Sequence, residues 1–177
     1  LVAQGVKEIV LVAQDTTAYG WDLGMRDALA PLIKKLCTEV EGLQWLRLMY
    51  TYPGHVTPRL IETMTCLPQV LHYIDVPLQH AHPETLKRMQ RPNIVVTRQM
   101  LNDLRAAMPD LAIRTTFIVG FPGETDEEFQ SLLGFLEEQR FDRAGVFEYS
   151  REEGTPAAQF ERQVARKIKA RRREQAM

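Results

Sequence analysis

The sequence predicts an α/β fold built on a parallel sheet, and three observations predict it. Apolar, β-rich runs recur along the 177 residues at Glu8–Ala13, Trp45–Tyr50, Val70–Val76, Ile113–Val119 and Ala144–Tyr149. Each run is near-continuously apolar rather than cleanly alternating, as expected of strands covered on both faces. Segments of helical period separate them, which is the rhythm of successive βαβ units. Right-handed crossovers then lead to a doubly wound sheet or to a (β/α) TIM-type barrel. Polar residues follow every strand instead of gathering at one crevice, and this favours the barrel.

In chain order, Leu1–Val6 reads as the tail of a helix ending near Gly5, ahead of the first strand. Met25, Leu29, Ile33, Leu36 and Val40 belong to one apolar helical stripe, and Phe129, Leu132, Leu133 and Leu136 to another. Thr57-Pro58 and Thr97 read as helix starts, with Pro58 at the first helical position, where its missing N–H costs nothing. The stretch Arg114-Thr-Thr-Phe-Ile-Val-Gly-Phe-Pro-Gly-Glu124 is a buried strand that ends in a tight turn and passes directly into a helix N-terminus. Gly120 and Gly123 let the backbone approach a ligand and Pro122 stiffens the turn. Thr125, with Glu128 three residues on, reads as a capping box.

Length, 45% hydrophobic content and 25% charged content suit one soluble globular domain. The formal net charge of -1 makes the domain as a whole no electrostatic magnet for nucleic acid. No apolar run reaches the length that spans a bilayer, so no membrane partner is expected. Cys37 and Cys66 are far apart and lack any partner spacing, which points to a reducing, cytoplasmic setting. Both read as small core hydrophobes rather than nucleophiles. The segment from Glu161 to Arg173 is strongly basic. It reads as a nucleic-acid or ribosome-facing patch or as a solvated helix, and the near-neutral chain favours the helix.

Ligand chemistry is expected at the strand ends. Gln14, Asp15, Thr16 and Thr17 follow the first run, Thr51, Tyr52 and His55 the second, and Gln79, His80 and His82 the third. Asp15 and Thr16 read equally as turn caps, and Asp75 equally as a paired structural carboxylate. His80 and His82 stand two apart, so an extended loop would point them to opposite sides, and no zinc site is expected.

Several stretches together are similar to one enzyme family. They are Gly5-Val-Lys-Glu-Ile-Val-Leu-Val-Ala-Gln-Asp-Thr-Thr-Ala-Tyr-Gly20, Asp75-Val-Pro-Leu-Gln-His80, Leu86-Lys-Arg-Met89 with Arg91-Pro92, Thr115–Glu124 and Gly154-Thr-Pro-Ala157. In this order they resemble the radical S-adenosylmethionine methylthiotransferases. The Gln-Asp-Thr-Thr-Ala-Tyr-Gly and Pro-Leu-Gln-His stretches resemble the branch that modifies an aspartate of a small-subunit ribosomal protein. A transfer-RNA methylthiotransferase is the alternative, and a cluster-free barrel enzyme or binding domain using Asp15, Asp75 and Glu124 is another.

The resemblance implies a partial, open-edged barrel holding strands two to six of the core. It also implies S-adenosylmethionine across the strand ends beside a [4Fe-4S] cluster, whose reductive cleavage of the cofactor gives a 5′-deoxyadenosyl radical. It implies residues 1–160 as an incomplete core lacking the first strand and the Cys-x-x-x-Cys-x-x-Cys loop. Residues 161–177 would then be a basic helical tail leading to an absent TRAM domain, which leaves open contact with the ribosome or RNA. Neither Cys37 nor Cys66 matches a cluster ligand, so no metal ligand is expected in this chain, which is expected to be inactive alone. By the same resemblance Gln14 and Asp15 meet the methionyl amino group, and Gln79 meets the ribose or carboxylate. Ile118 to Gly120 packs on adenine, Tyr149 offers adenine a backbone contact, and Arg98 clamps a carboxylate. The open edge at Glu8–Ala13 is expected to be covered by another chain.

Overall fold

A computed structural model describes residues 1–177. Five strands follow one another in the sheet: β1 (Glu8–Leu11), β2 (Trp45–Leu48), β3 (Val70–Asp75), β4 (Ala112–Val119) and β5 (Arg143–Glu148). The registers of β1 with β2, β2 with β3 and β3 with β4 are all parallel. β1 and β5 are the two edges, so the sheet is open, as a partial barrel requires. Six α-helices accompany them: α1 (Leu29–Glu39), α2 (Pro58–Cys66), α3 (Pro83–Arg88), α4 (Ile94–Ala107), α5 (Asp126–Gln139) and α6 (Arg166–Ala176).

The chain divides into two compact units, residues 1–77 with 98–114 and residues 78–97 with 115–177. In the first, Leu46, Leu48 and Ile74 of the strands are buried, as are Ile33 of α1, Met64 of α2 and Leu101 and Leu104 of α4. In the second, Phe117 of β4 meets Phe135 of α5 edge-on at 6.4 Å between centroids, and both rings are buried. Burying such side chains is worth about 1.5–3 kcal/mol each, which is why apolar spacing positions the helices.

Local signals explain the helix starts. The Thr57 hydroxyl accepts the Leu60 N–H, with Pro58 at the first position of α2. Thr125 and Glu128 form both halves of the capping box at α5. Thr97 is not a helix start, since α4 begins at Ile94 and the Asn93 side chain accepts the Val95 N–H there. Met25 falls outside α1, because a 3-10 turn at Trp21–Leu23 ends in a left-handed Gly24 and leaves Met25 exposed.

The strands also differ from the expectation of two covered faces. β4 alternates strictly, with Ile113, Thr115, Phe117 and Val119 buried and Arg114, Thr116 and Ile118 half-buried. In the first unit the half-covered face carries polar pairs. Arg47 Nε lies 2.5 Å from Glu8 Oε1, and the Arg47 guanidinium sits 4.5 Å from the Tyr73 ring centre. One face of the sheet packs on helices while the other carries polar groups.

Candidate functional site

Each unit carries its own cluster at the C-terminal ends of its strands. In the first, Asp15 caps the turn Thr16–Ala18 after β1 by accepting the Thr17 N–H and hydroxyl. Its second carboxylate oxygen lies 2.8 Å from His55 Nδ1. A carboxylate only accepts, so His55 carries its proton on Nδ1. The imidazole is held against Trp21 and Tyr52, at 4.3 and 4.5 Å between centroids. The Thr16 hydroxyl donates to the Met49 carbonyl, and the Thr16 N–H to the Tyr50 carbonyl, tying the ends of β1 and β2 together. Tyr50, in the left-handed region at φ 53°, donates its N–H to Asp75 Oδ2. Asp75 is buried and also faces Arg114 at 3.5 Å, so it is a paired structural carboxylate. Gln14 is exposed, and Arg98 lies within α4 in this same unit.

The second unit holds Gln79, Ile118, Gly120 and Tyr149. β3 ends at Asp75, yet Gln79 rejoins the sheet. Its N–H donates to the Thr116 carbonyl at 2.8 Å, and its carbonyl accepts the Ile118 N–H at 2.9 Å. Gln79 does this at φ 72°, a conformation that costs a non-glycine residue about 1 kcal/mol or more and that clusters at functional sites. Gln90 is also in the left-handed region, at φ 55°. Gln79, Gln90, Arg91, Ile118, Phe121 and Phe160 line one cavity of about 290 Å³. Two of the chain's five non-glycine residues with positive φ therefore face the same space.

Behind the cavity wall, Glu124 Oε2 accepts the Gly120 and Phe121 N–H groups at 2.7 and 3.2 Å, and Arg172 Nη1 reaches Oε1 at 2.8 Å. Burial pushes the Glu124 carboxyl above its usual range, opposed by the Arg172 charge and the two amides. His80 is fully buried, and its Nδ1 accepts the His82 N–H. Its proton therefore sits on Nε2, which has no partner and lies 3.7 Å from Glu124 Oε2. Burial lowers its pKa to about 3, so the ring stays neutral.

The sequence reading missed two participants, Lys169 and Arg172. The Lys169 ammonium donates to the Tyr149 carbonyl at 2.7 Å, and its stem fills the space a side chain at Gly120 would need. Arg172 is 3% exposed, so its stretch is not simply a solvated helix. No local signal marks either residue, since Arg172 meets its partner across 48 positions.

No group of three or more His, Cys, Asp and Glu side chains is placed to hold a metal ion. Cys37 is buried in α1 and Cys66 is exposed at the end of α2. An iron–sulfur cluster needs several thiolates close together, so the residues of this chain do not fit one. The cavity of the second unit instead combines the apolar Ile118 and Phe121 with the polar Gln79 and Arg91, the mixed lining of a small organic ligand's pocket, and Gly120 and Tyr149 are not among its lining residues.

The profile of the radical SAM superfamily matches residues 1–136. The ribosomal protein uS12 methylthiotransferase RimO of Roseiflexus castenholzii is 60% identical over 173 residues, covering 97% of this chain and 36% of that protein. That of Heliobacterium modesticaldum is 52% identical over 178 residues, covering 100% of this chain and 38% of that protein. The chain thus spans a little over a third of the curated relatives' length. Among solved structures, the radical S-adenosylmethionine methyltransferase TsrM of Kitasatospora setae aligns with a TM-score of 0.67 at 16% identity. The alignment covers 86% of this chain and 29% of that one. Coproporphyrinogen III oxidase (HemN) of Escherichia coli aligns with a TM-score of 0.52 at 17% identity, covering 95% and 45%. These two likenesses concern the fold.

Proposed function

The chain belongs to the radical SAM superfamily, and from that premise we propose that it is the S-adenosylmethionine-binding core region of a methylthiotransferase. Its substrate in this reading is the ribosomal protein uS12, which the names of relatives 60% and 52% identical carry, and the family resemblance implies an aspartate of it. Residues 1–160 would form the core, and 161–177 the basic helix leading out of it. When bound, the cofactor and a cluster held elsewhere in the protein supply the radical chemistry, and this chain's residues bind and orient.

The observation that carries the reading is the cavity shared by Gln79 and Ile118, the former held in a strained backbone conformation. Ile118 would pack on adenine and the Gln79 amide would meet the ribose. The Tyr149 carbonyl, with one lone pair taken by Lys169, keeps a second for the adenine amino group. Asp15 accepts three hydrogen bonds of about four it can take, which leaves room for the methionyl amino group beside Gln14. For Arg98 the carboxylate clamp is the role that the family resemblance implies. The cluster-free alternative is disfavoured because two of its three carboxylates, Asp75 and Glu124, are buried and committed to partners. The test is full-length protein, reconstituted anaerobically with iron and sulfide and given S-adenosylmethionine, a low-potential reductant, sulfide and either uS12 or transfer RNA. Gain of a methylthio group on uS12 alone is expected, and modification of transfer RNA alone would transfer the reading to the other branch.

A further inference from the structure

We propose that α6 positions the adenine side of this cofactor site, with Arg172 and Lys169 as its positioning residues. The inference rests on the reading above, and it names residues outside the stretch that the superfamily profile matches.

Four of the basic residues of α6 need no explanation beyond solvent, since Arg166, Lys167, Arg171 and Arg173 are exposed to water. Arg172 is not. It is buried, its Nη1 donates to both Glu124 Oε1 and the Glu124 carbonyl, and its Nη2 donates to Asp126 at 2.7 Å. A charged side chain tolerates burial only when it is paired in this way. Glu124, so held, keeps Oε2 on the amides of Gly120 and Phe121. Phe121 lines the cavity, so a single chain of hydrogen bonds runs from α6 to the cavity wall.

Lys169, three residues earlier on the same helix, makes the second grip. Its stem packs on Gly120, which stands at φ 71°, and its ammonium fixes the Tyr149 carbonyl and lies 5.1 Å from the Tyr149 ring centre. The Gly120 turn and the Tyr149 carbonyl, both expected beside adenine, are therefore held by one helix. Losing Arg172 would leave Glu124 buried without its counter-charge and free the two amides to shift. An error of this kind at a wall of the site weakens binding without touching the ligand.

Equilibrium titration of full-length, cluster-loaded protein with S-adenosylmethionine tests this. Arg172→Leu should raise Kd about ten-fold, within the range of typical coupling energies. Arg172→Lys should recover part of the affinity, and Arg173→Leu, on the exposed side, should leave it unchanged. An Arg172→Leu protein that melts earlier yet binds with the wild-type Kd overturns the proposal, because its role is then stability alone. Should Arg172→Leu not fold, Lys169→Met decides. It keeps the stem on Gly120 and releases the Tyr149 carbonyl, so a several-fold weaker Kd supports positioning and an unchanged one overturns it. Wild-type protein that holds its cluster but binds no S-adenosylmethionine contradicts the functional reading itself, a different failure.

Discussion

His55 donates its Nδ1–H to Asp15 Oδ2 at 2.8 Å, joining the loops that follow β1 and β2 across 40 positions of sequence. The same carboxylate caps the Thr16–Ala18 turn, so one side chain sets both loops. Asp15→Ala should therefore cost about 1–3 kcal/mol in urea unfolding, the penalty for unpaired donors around a removed carboxylate. A loss within experimental error would mean that the turn holds without its cap.

His80 makes stability depend on pH in a defined window. Burial, the largest cause, depresses its pKa from 6.5 to about 3. Between those values the unfolded chain takes up a proton that the folded chain refuses, so stability is full above pH 6.5 and falls as the pH drops towards 3. His80→Gln should flatten the slope of unfolding free energy against pH in that window. An undiminished slope would assign it to other groups.

Glu128 acts at lower pH. Burial alone would raise its carboxyl, but the Arg88 guanidinium, the Thr125 N–H and the Thr85 hydroxyl outweigh burial and hold it below the usual range. Its contribution is therefore present above the ordinary glutamate value of about 4.3 and lost as the pH falls through the depressed one. Glu128→Ala breaks the 2.6 Å contact with Arg88 and half of the capping box, and should cost about 2 kcal/mol at neutral pH. Thermal unfolding at pH 7 and at pH 3 should show the difference between variant and wild type shrinking in acid.

Phe117 tests the core of the second unit. It is fully buried against Phe135 and Phe141, and Phe117→Ala should cost about 3–5 kcal/mol in urea unfolding. A smaller loss would mean that the cluster collapses to fill the space.

Much of this was legible in the sequence because its signals are local. The Thr57-Pro58 start, the Thr125/Glu128 capping box and all five strands follow from residues within a few positions of each other. Thr97 misled because a threonine at a helical period resembles a cap, while Asn93 provides the observed one. The alternation along β4 was obscured because Thr115 and Thr116 adjoin, one buried and one half-buried, and composition does not say which face is covered. The grip of Lys169 and Arg172 was invisible for another reason. A run of basic residues looks uniform in sequence, and only the packed helix singles out the one that turns inward.

In the proposed site Gln79 holds a strained backbone that presents its side-chain amide to the cofactor. Gln79→Gly tests this most directly, because glycine relieves the left-handed conformation while removing the amide. In full-length, cluster-loaded protein, thermal stability should hold or rise by up to about 1 kcal/mol, while titration with S-adenosylmethionine gives a Kd roughly ten-fold weaker. A variant that binds S-adenosylmethionine as tightly as the wild type would contradict the claim, whatever its stability.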